Sequence, residues 1–369
     1  MIEEKDLKII NALRPLSALY GLGVSLRNKL FDWEVLKGRK FPIPVISVGN
    51  ITVGGTGKTP HTEYLIRLLA DKYKLAVLSR GYKRKSKGFV LADENSNSTL
   101  IGDEPFQMKR KFPFITVAVD SNRQRGIDTL LALPEDKRPE VILLDDAFQH
   151  RYVTPSLSIL LIDSNRIINE DCLLPAGKLR ESPTEKRRAE IVILTKCTDK
   201  LLPIDYRILD ENLKLYPYQS LYFTGIQYGN LIPVFQEVST ETLNPKDLKQ
   251  GTSILLVCGI ANPEQIQQEL SKYSRRIETL DFPDHHHFGK KDMLQIKKQF
   301  DALEGENKLI VVTEKDAVRL IDSPLVDEEL KQSIYYLPIE VDFRQSQEEN
   351  FNKQIISHIE NFKRNKILQ

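Results

Sequence analysis

Cysteine is scarce in this chain. Of 369 residues only three are cysteine, Cys172, Cys197 and Cys258. They lie far apart and form no Cys-x-x-Cys pair, which argues against a disulfide framework or a thiolate zinc site and makes a reducing compartment the default. Net charge is small as well, formally +2 at neutral pH, so no global field draws the protein to nucleic acid. The N-terminus lacks the basic start of a secretory signal, since Glu3, Glu4 and Asp6 occupy it. A long hydrophobic run is missing near the N-terminus too. Twelve uncharged residues, PLSALYGLGVSL, separate Arg14 from Arg27. As a helix they reach about 18 Å, short of a hydrocarbon core of roughly 30 Å. No internal repeat or low-complexity tract is evident.

What is present is an ordinary globular composition, 41% hydrophobic and 28% charged, with length for two domains. Short apolar runs alternate with helix-like stretches. Strands are predicted at 43–48, 75–79, 114–119, 141–145, 158–163 and 191–195, and a second set at 253–258, 276–281, 308–313 and 334–341. Near-continuous apolar runs of this kind suit a parallel sheet covered on both faces. Helices are predicted over 262–273, 290–304 and 346–363. The proline-bearing stretch 203–250 reads as a connection. The expectation is an α/β protein: a doubly wound, mostly parallel sheet, of the P-loop NTPase type that GGTGKT (54–59) after the first strand marks, with a second, smaller α/β domain. The expected boundaries are 1–40 for a basic N-terminal segment, 41–215 for the first domain, 216–345 for the second, and 346–369 for a C-terminal helix that could return to the first.

The strand at 43–48 runs into GNITVGGTGKTP. Backbone N–H groups of Gly54, Gly55, Thr56 and Gly57 would face phosphate oxygens at a helix N-terminus. Lys58 would reach the terminal phosphates and Thr59 would offer a hydroxyl to Mg²⁺. The standard spacing places a glycine at position 52, where this chain has Thr52. Such a loop needs a metal-side acid at a neighbouring strand end, and VILLDDAFQHR supplies Asp145 and Asp146; which of the two would touch the metal stays open. TKCTD (195–199) is one residue too long for a guanine-reading motif and has Thr195 where that motif has Asn, so ATP is expected rather than GTP.

Further polar clusters follow: SRGY (79–82), GDEP (102–105), LPAGKLRE (174–181), FPDHH (282–286) and TEKDAVR (313–319). Three adjacent histidines, His285 to His287, cannot all face one site, because neighbours on an extended chain point to opposite sides. With VGNITVGGTGKTP (48–60) and DDAFQHR (145–151), and in this order, the clusters resemble the tetraacyldisaccharide 4′-kinases, the lipid A 4′-kinases of Gram-negative bacteria. The matches run from Val48 to Arg319.

The resemblance implies transfer of the γ-phosphoryl group of ATP, with Mg²⁺, to the 4′-hydroxyl of a tetraacylated disaccharide 1-phosphate at the cytoplasmic face of the inner membrane. It implies Asp103 as base supported by His285, with Lys58 on the phosphates and Thr59, Asp145 and Asp146 on the metal side. It also implies a phosphate or substrate region containing Arg80, Glu104, Gln149, Arg180, Glu181 and His286. Where the family often has proline after two histidines, this chain has His287, which leaves the partner of Asp103 open. The residues 7–31 carry four basic side chains (Lys8, Arg14, Arg27, Lys29) and no acidic one. Alone they suit either a helix packed on its own domain or one lying in a membrane interface; a lipid substrate favours the second. No nucleic acid and no obligate protein partner are expected. A soluble P-loop kinase or ligase acting on a small substrate, and a nucleotide switch without acceptor chemistry, are the competing readings.

Overall fold

The computed structural model describes residues 9–249, 251–259, 263–283 and 286–367. In chain order it places α1 (Arg14–Asp32), β1 (Val45–Gly49), α2 (Lys58–Leu69), β2 (Leu75–Ser79), β3 (Val90–Leu91), α3 (Ser98–Ile101), α4 (Asp103–Lys111), β4 (Thr116–Val119), α5 (Arg123–Leu131), β5 (Val141–Asp145), β6 (Leu157–Asp163), β7 (Ile191–Thr195), α6 (Pro203–Leu213) and β8 (Ser220–Tyr228). It continues with β9 (Ile232–Pro233), β10 (Ser253–Cys258), α7 (Glu264–Ser271), β11 (Arg276–Asp281), α8 (Lys290–Ala302), β12 (Lys308–Thr313), α9 (Glu314–Ile321), α10 (Glu328–Lys331), β13 (Ile334–Leu337), β14 (Ile339–Phe343) and α11 (Glu348–Ile367).

Two sheets result. The first has nine strands in the order β14-β8-β7-β6-β1-β5-β2-β4-β3, and the second has five, in the order β11-β10-β12-β13-β9. Both are parallel except at their edges, where β14 runs against β8, β3 against β4 and β9 against β13. Strands β1, β2, β5, β7 and β10 are buried along their whole length. That is why their sequences read as unbroken apolar runs rather than alternating ones.

The connection expected over 203–250 is instead partly regular. Pro203 does not break structure there. It starts α6, at a position where its missing N–H is no loss, and β8 forms an interior strand between β7 and β14. The single strand expected over 334–341 is two, divided at Pro338, which has no N–H to donate to a ladder. Up to Leu337 the chain belongs to the second sheet, and from Ile339 to the first. The second sheet is thus an insertion between β8 and β14. Residues 216–228 and 339–345, expected in the second domain, lie with the first sheet for this reason.

Helix α11 closes the first layer. Phe351, Ile355 and Ile359 are buried against Leu65, Ile66 and Leu69 of α2 and the β1, β5 and β6 side chains. Ile355→Ala should therefore destabilise the fold by about 2–5 kcal/mol, read from the urea midpoint at unchanged slope. A loss under about 0.5 kcal/mol, typical of a surface site, would mean that α11 is not part of this core.

Candidate active site

Parallel pairing puts the C-terminal ends of β1, β2, β4 and β5 on one rim, where open α/β sheets hold ligands. After β1 the backbone turns sharply. Gly54 and Gly57 have φ of +117° and +81°, a region closed to most side chains. A side chain at Gly54 or Gly55 would meet nothing within 4 Å, so the loop cradles open space. Asn50 Nδ2 donates to Thr56 Oγ1 at 2.7 Å and fixes the loop across its mouth. Position 52, where the usual spacing has glycine, holds a buried Thr52 bridged to Leu179. Val53 N donates to Lys178 O and Arg180 N to Ile51 O, each at 2.7 Å. The LPAGKLRE segment therefore backs the phosphate loop, and the departure from the usual spacing falls at that strand-like contact.

Helix α2 begins at Lys58 with no acidic residue in its first turn, leaving its N-terminal N–H groups and positive dipole end to the loop. Asp145 ends β5 and is in register with Val48, one residue before the turn. Its carboxylate is buried and accepts hydrogen bonds from Ser79 Oγ (3.2 Å) and Thr62 Oγ1 (3.4 Å). Burial pushes its pKa up to about 6, and the carboxylates of Asp146 and Glu104 push the same way. Asp146, at φ +46°, turns its side chain to Arg180 Nη1 (3.3 Å) and Lys58 Nζ (3.8 Å). No cation pairs with Asp145 among the described residues. A buried carboxylate, a second carboxylate and the Thr59 hydroxyl at a phosphate loop are hard oxygen donors of the kind Mg²⁺ takes. These residues fit that ion.

Arg180 also reaches Gln149 Oε1 at 3.4 Å, and Gln149 Nε2 donates to Asn50 O at 2.6 Å. Arg80, after β2, is exposed. Its charge lies near enough to help lower the pKa of Arg123 and of His150. Asp103 opens α4 behind Gly102, and Glu104 pairs with Lys315 at 3.3 Å. Asp103 shares a small cleft between the domains with Tyr82, Lys83, Lys85, Thr99 and His287. His285 lies outside the described residues.

Glu181 is buried, paired with Arg188, and accepts from Asn28 Nδ2 at 3.4 Å, which ties it to α1. His286 stacks on Phe282, ring centroids 4.8 Å apart, and bonds Asp292 at 2.9 Å beside the start of α8. Its neighbour His287 faces the cleft instead.

Three residues had no assigned role in the sequence. His61, one turn after Gly57, bonds Gly57 O (2.7 Å) and Thr224 Oγ1 (3.0 Å), tying the loop to β8. Burial holds its pKa down to about 4, so it stays neutral. Arg123 is buried behind Asp145, donating to Asp120 O at 2.7 Å and Asp145 O at 3.3 Å. Arg319 reaches Asp103 from the second domain. His61 and Arg319 stand inside or beside recognised motifs, but only tertiary contact reveals their partners.

Helix α1 docks by its small and polar side. Ser17 Oγ accepts from Ala176 N at 2.9 Å, Tyr20 Oη donates to Arg180 O at 2.9 Å, and Gly21 lies against Leu173. Its apolar side faces out. Leu16, Leu19, Leu22 and Leu26 are 55–70% exposed, and Trp33 and Val35 just beyond are similar. Among the described residues no helix is long and apolar enough to cross a membrane.

Asp145 generates a prediction. Its folded pKa, about 6, lies above its ordinary value of 3.8, so the ionised form is disfavoured by folding. The penalty appears as pH rises from 3.8 through 6 and is complete above that window. Asp145→Asn should therefore raise nucleotide-free stability by about 1–3 kcal/mol at pH 8, with no gain at pH 4, while removing turnover. Equal urea midpoints for the two proteins at pH 8 would contradict the assignment.

Known proteins resemble this chain over nearly its whole length. A family model described as tetraacyldisaccharide-1-P 4′-kinase matches residues 9–360. A tetraacyldisaccharide 4′-kinase of Bacteroides thetaiotaomicron is 55% identical over 99% of this chain and 97% of its own. One of Phocaeicola vulgatus is 56% identical over 99% of both. The crystal structure of LpxK from Aquifex aeolicus in complex with ATP superposes with a TM-score of 0.72 at 30% identity, covering 94% of this chain and 98% of that one. The chain belongs to the tetraacyldisaccharide 4′-kinase family.

Proposed function

We propose a division of labour for the residues of this site. The reaction itself is the family's: ATP phosphorylates the 4′-hydroxyl of tetraacyldisaccharide 1-phosphate, a lipid A precursor. Residues 54–59 hold the ATP phosphates, with Lys58 and the α2 dipole on the terminal ones. Thr59 and the Asp145–Asp146 pair hold Mg²⁺, which neutralises charge on the transferring group. Arg180 and Arg80 add positive charge beside the same oxygens. Asp103 orients the 4′-hydroxyl and accepts its proton as it attacks, with His285 as its support. Glu104 lies behind it, near the metal-side acids. The observation that carries this reading is the convergence of Asp103 and Asp145 on one rim. Glu104, adjacent to Asp103, is close enough to Asp145 for its charge to act on that carboxylate, which supports a base at the start of α4 serving the phosphate loop.

The exposed apolar side of α1 carries the second half of the proposal. The helix lies in the interface of the inner membrane's cytoplasmic leaflet, its leucines among acyl chains and Arg14 and Lys29 toward anionic head groups. A tetraacylated acceptor could then reach the cleft without its chains leaving the bilayer, where each CH₂ exposed to water costs about 0.8 kcal/mol.

Two experiments test this. Label from γ-³²P-ATP should pass to the lipid acceptor in mixed micelles with wild type. With Asp103→Asn or Lys58→Ala it should fall about 10²–10⁴-fold; ATP hydrolysis without lipid labelling by wild type would refute the acceptor. Replacing Leu19, Leu22 and Leu26 by Glu should cut sedimentation with anionic vesicles at least about tenfold, with the melting temperature unchanged. Undiminished sedimentation would remove α1 from the membrane contact.

A further inference from the structure

Arg319 sits on α9 of the second sheet's domain, with its side chain almost wholly buried. Its Nε and Nη2 both donate to one oxygen of Asp103, Oδ2, at 3.0 and 2.7 Å. Its Nη1 donates to Asp316 Oδ1 at 2.9 Å. Asp316 is itself fixed: Oδ2 accepts from Gly259 N at 2.9 Å and from Thr313 Oγ1 at 2.7 Å. Gly259 has to be glycine for this, because a Cβ there would lie 2.7 Å from Asp316 Oδ1. Fixed donors thus run from the end of β10 through α9 to the first residue of α4.

We infer that Arg319 is a positioning residue for the phosphoryl transfer: held by Asp316, it orients the Asp103 carboxylate and keeps it ionised as proton acceptor. The inference rests on Asp103 being the base. With Oδ2 bonded twice to a planar guanidinium, the carboxylate plane is set. A buried cation at this distance favours the charged carboxylate. Among the described residues, the other charged or titratable groups around Asp103 include Glu104 on its own helix, Lys315 on α9, Tyr82, Lys83 and Lys85 on the loop after β2, and His287 across the cleft.

A domain latch alone would not need this arrangement, because the interface is held by other contacts. Lys111 bridges Glu63 and Glu314 at 2.6 Å each, Lys315 pairs with Glu104, and Ser98 bonds Asp322 at 3.1 Å. Replacing Arg319 is therefore expected to leave the domains docked. It does strand Asp316, so a variant that neutralises both is included in the test.

The experiment measures kcat, KM for both substrates and the pH profile of kcat/KM in full-length Arg319→Gln, Arg319→Lys and the Asp316→Asn/Arg319→Gln double variant, with Asp103→Asn alongside. Arg319→Gln and the double variant should lose about 10–100-fold in kcat with KM for ATP within about twofold. Their acidic limb should move up by about one pH unit. Arg319→Lys, which keeps the charge without the planar fork, should hold the limb in place and lose about tenfold in kcat. If the limb stays put in both Gln variants, or activity falls only in step with the melting temperature, Arg319 is a latch and the inference fails. If Asp103→Asn keeps lipid phosphorylation, the base assignment fails first and takes the inference with it.

Discussion

The parallel pairing of β1 with β5 is the constraint from which the rest of the site follows. Val48 opposite Asp145 places a strand-end carboxylate beside the phosphate loop before any ligand binds. Neither strand has freedom to shift, since both are buried on two faces and a one-residue slip would turn apolar side chains into the wrong layer. The chemistry inherits that rigidity. Asp145 is kept out of water by the same packing that fixes the loop, so its carboxylate is costly to ionise and suited to a cation. The stability lost by burying it is recovered elsewhere in the sheet.

The second domain adds what the first cannot supply. Inserted between β8 and β14, it meets α4 through α9, so the residue that opens α4, Asp103, is gripped from the opposite sheet. If Asp103 is the base proposed above, its contact with Arg319 makes the site dependent on the interface between the two domains. Loop, Lys58 and strand-end acids belong to the β1–β5 rim, and the cleft beside Asp103 is bounded by the 82–85 loop and His287. Helix α1, docked on LPAGKLRE with its leucines outward, joins a third element to that segment. The stretch that backs the phosphate loop also carries the apolar surface.

Local features were legible in the sequence where chemistry is encoded by spacing. Gly54, Gly57, Lys58 and Thr59 specify a backbone path by themselves, and VILLDD announces a strand end. Features that depend on what lies opposite were not legible. Pro203 looked like a linker and is a helix start. Strand β8 has mixed patterning because its ends are only half-buried, and its place inside the sheet comes from β14, more than a hundred residues later. Arg180 and Glu181 are neighbours in one motif but diverge, one to Asp146 and one into the α1 contact. Adjacent histidines behave the same way: His286 turns to Asp292 and His287 to the cleft. Arg319 was visible as part of TEKDAVR, yet its role exists only through a contact with residue 103 on another domain.

In the proposed reaction, phosphate loop, strand-end acids and Asp103 address one reacting phosphoryl group. A crystal structure with Mg²⁺ and a non-hydrolysable ATP analogue tests it most directly. The terminal phosphate should lie against Lys58, the metal on Thr59 and on Asp145 or Asp146, and the Asp103 carboxylate should face that phosphate across a gap of about 5–7 Å, room for one acceptor hydroxyl, with Arg319 still on Oδ2. A terminal phosphate pointing away from the Asp103 cleft, or a metal held without either aspartate, would contradict it.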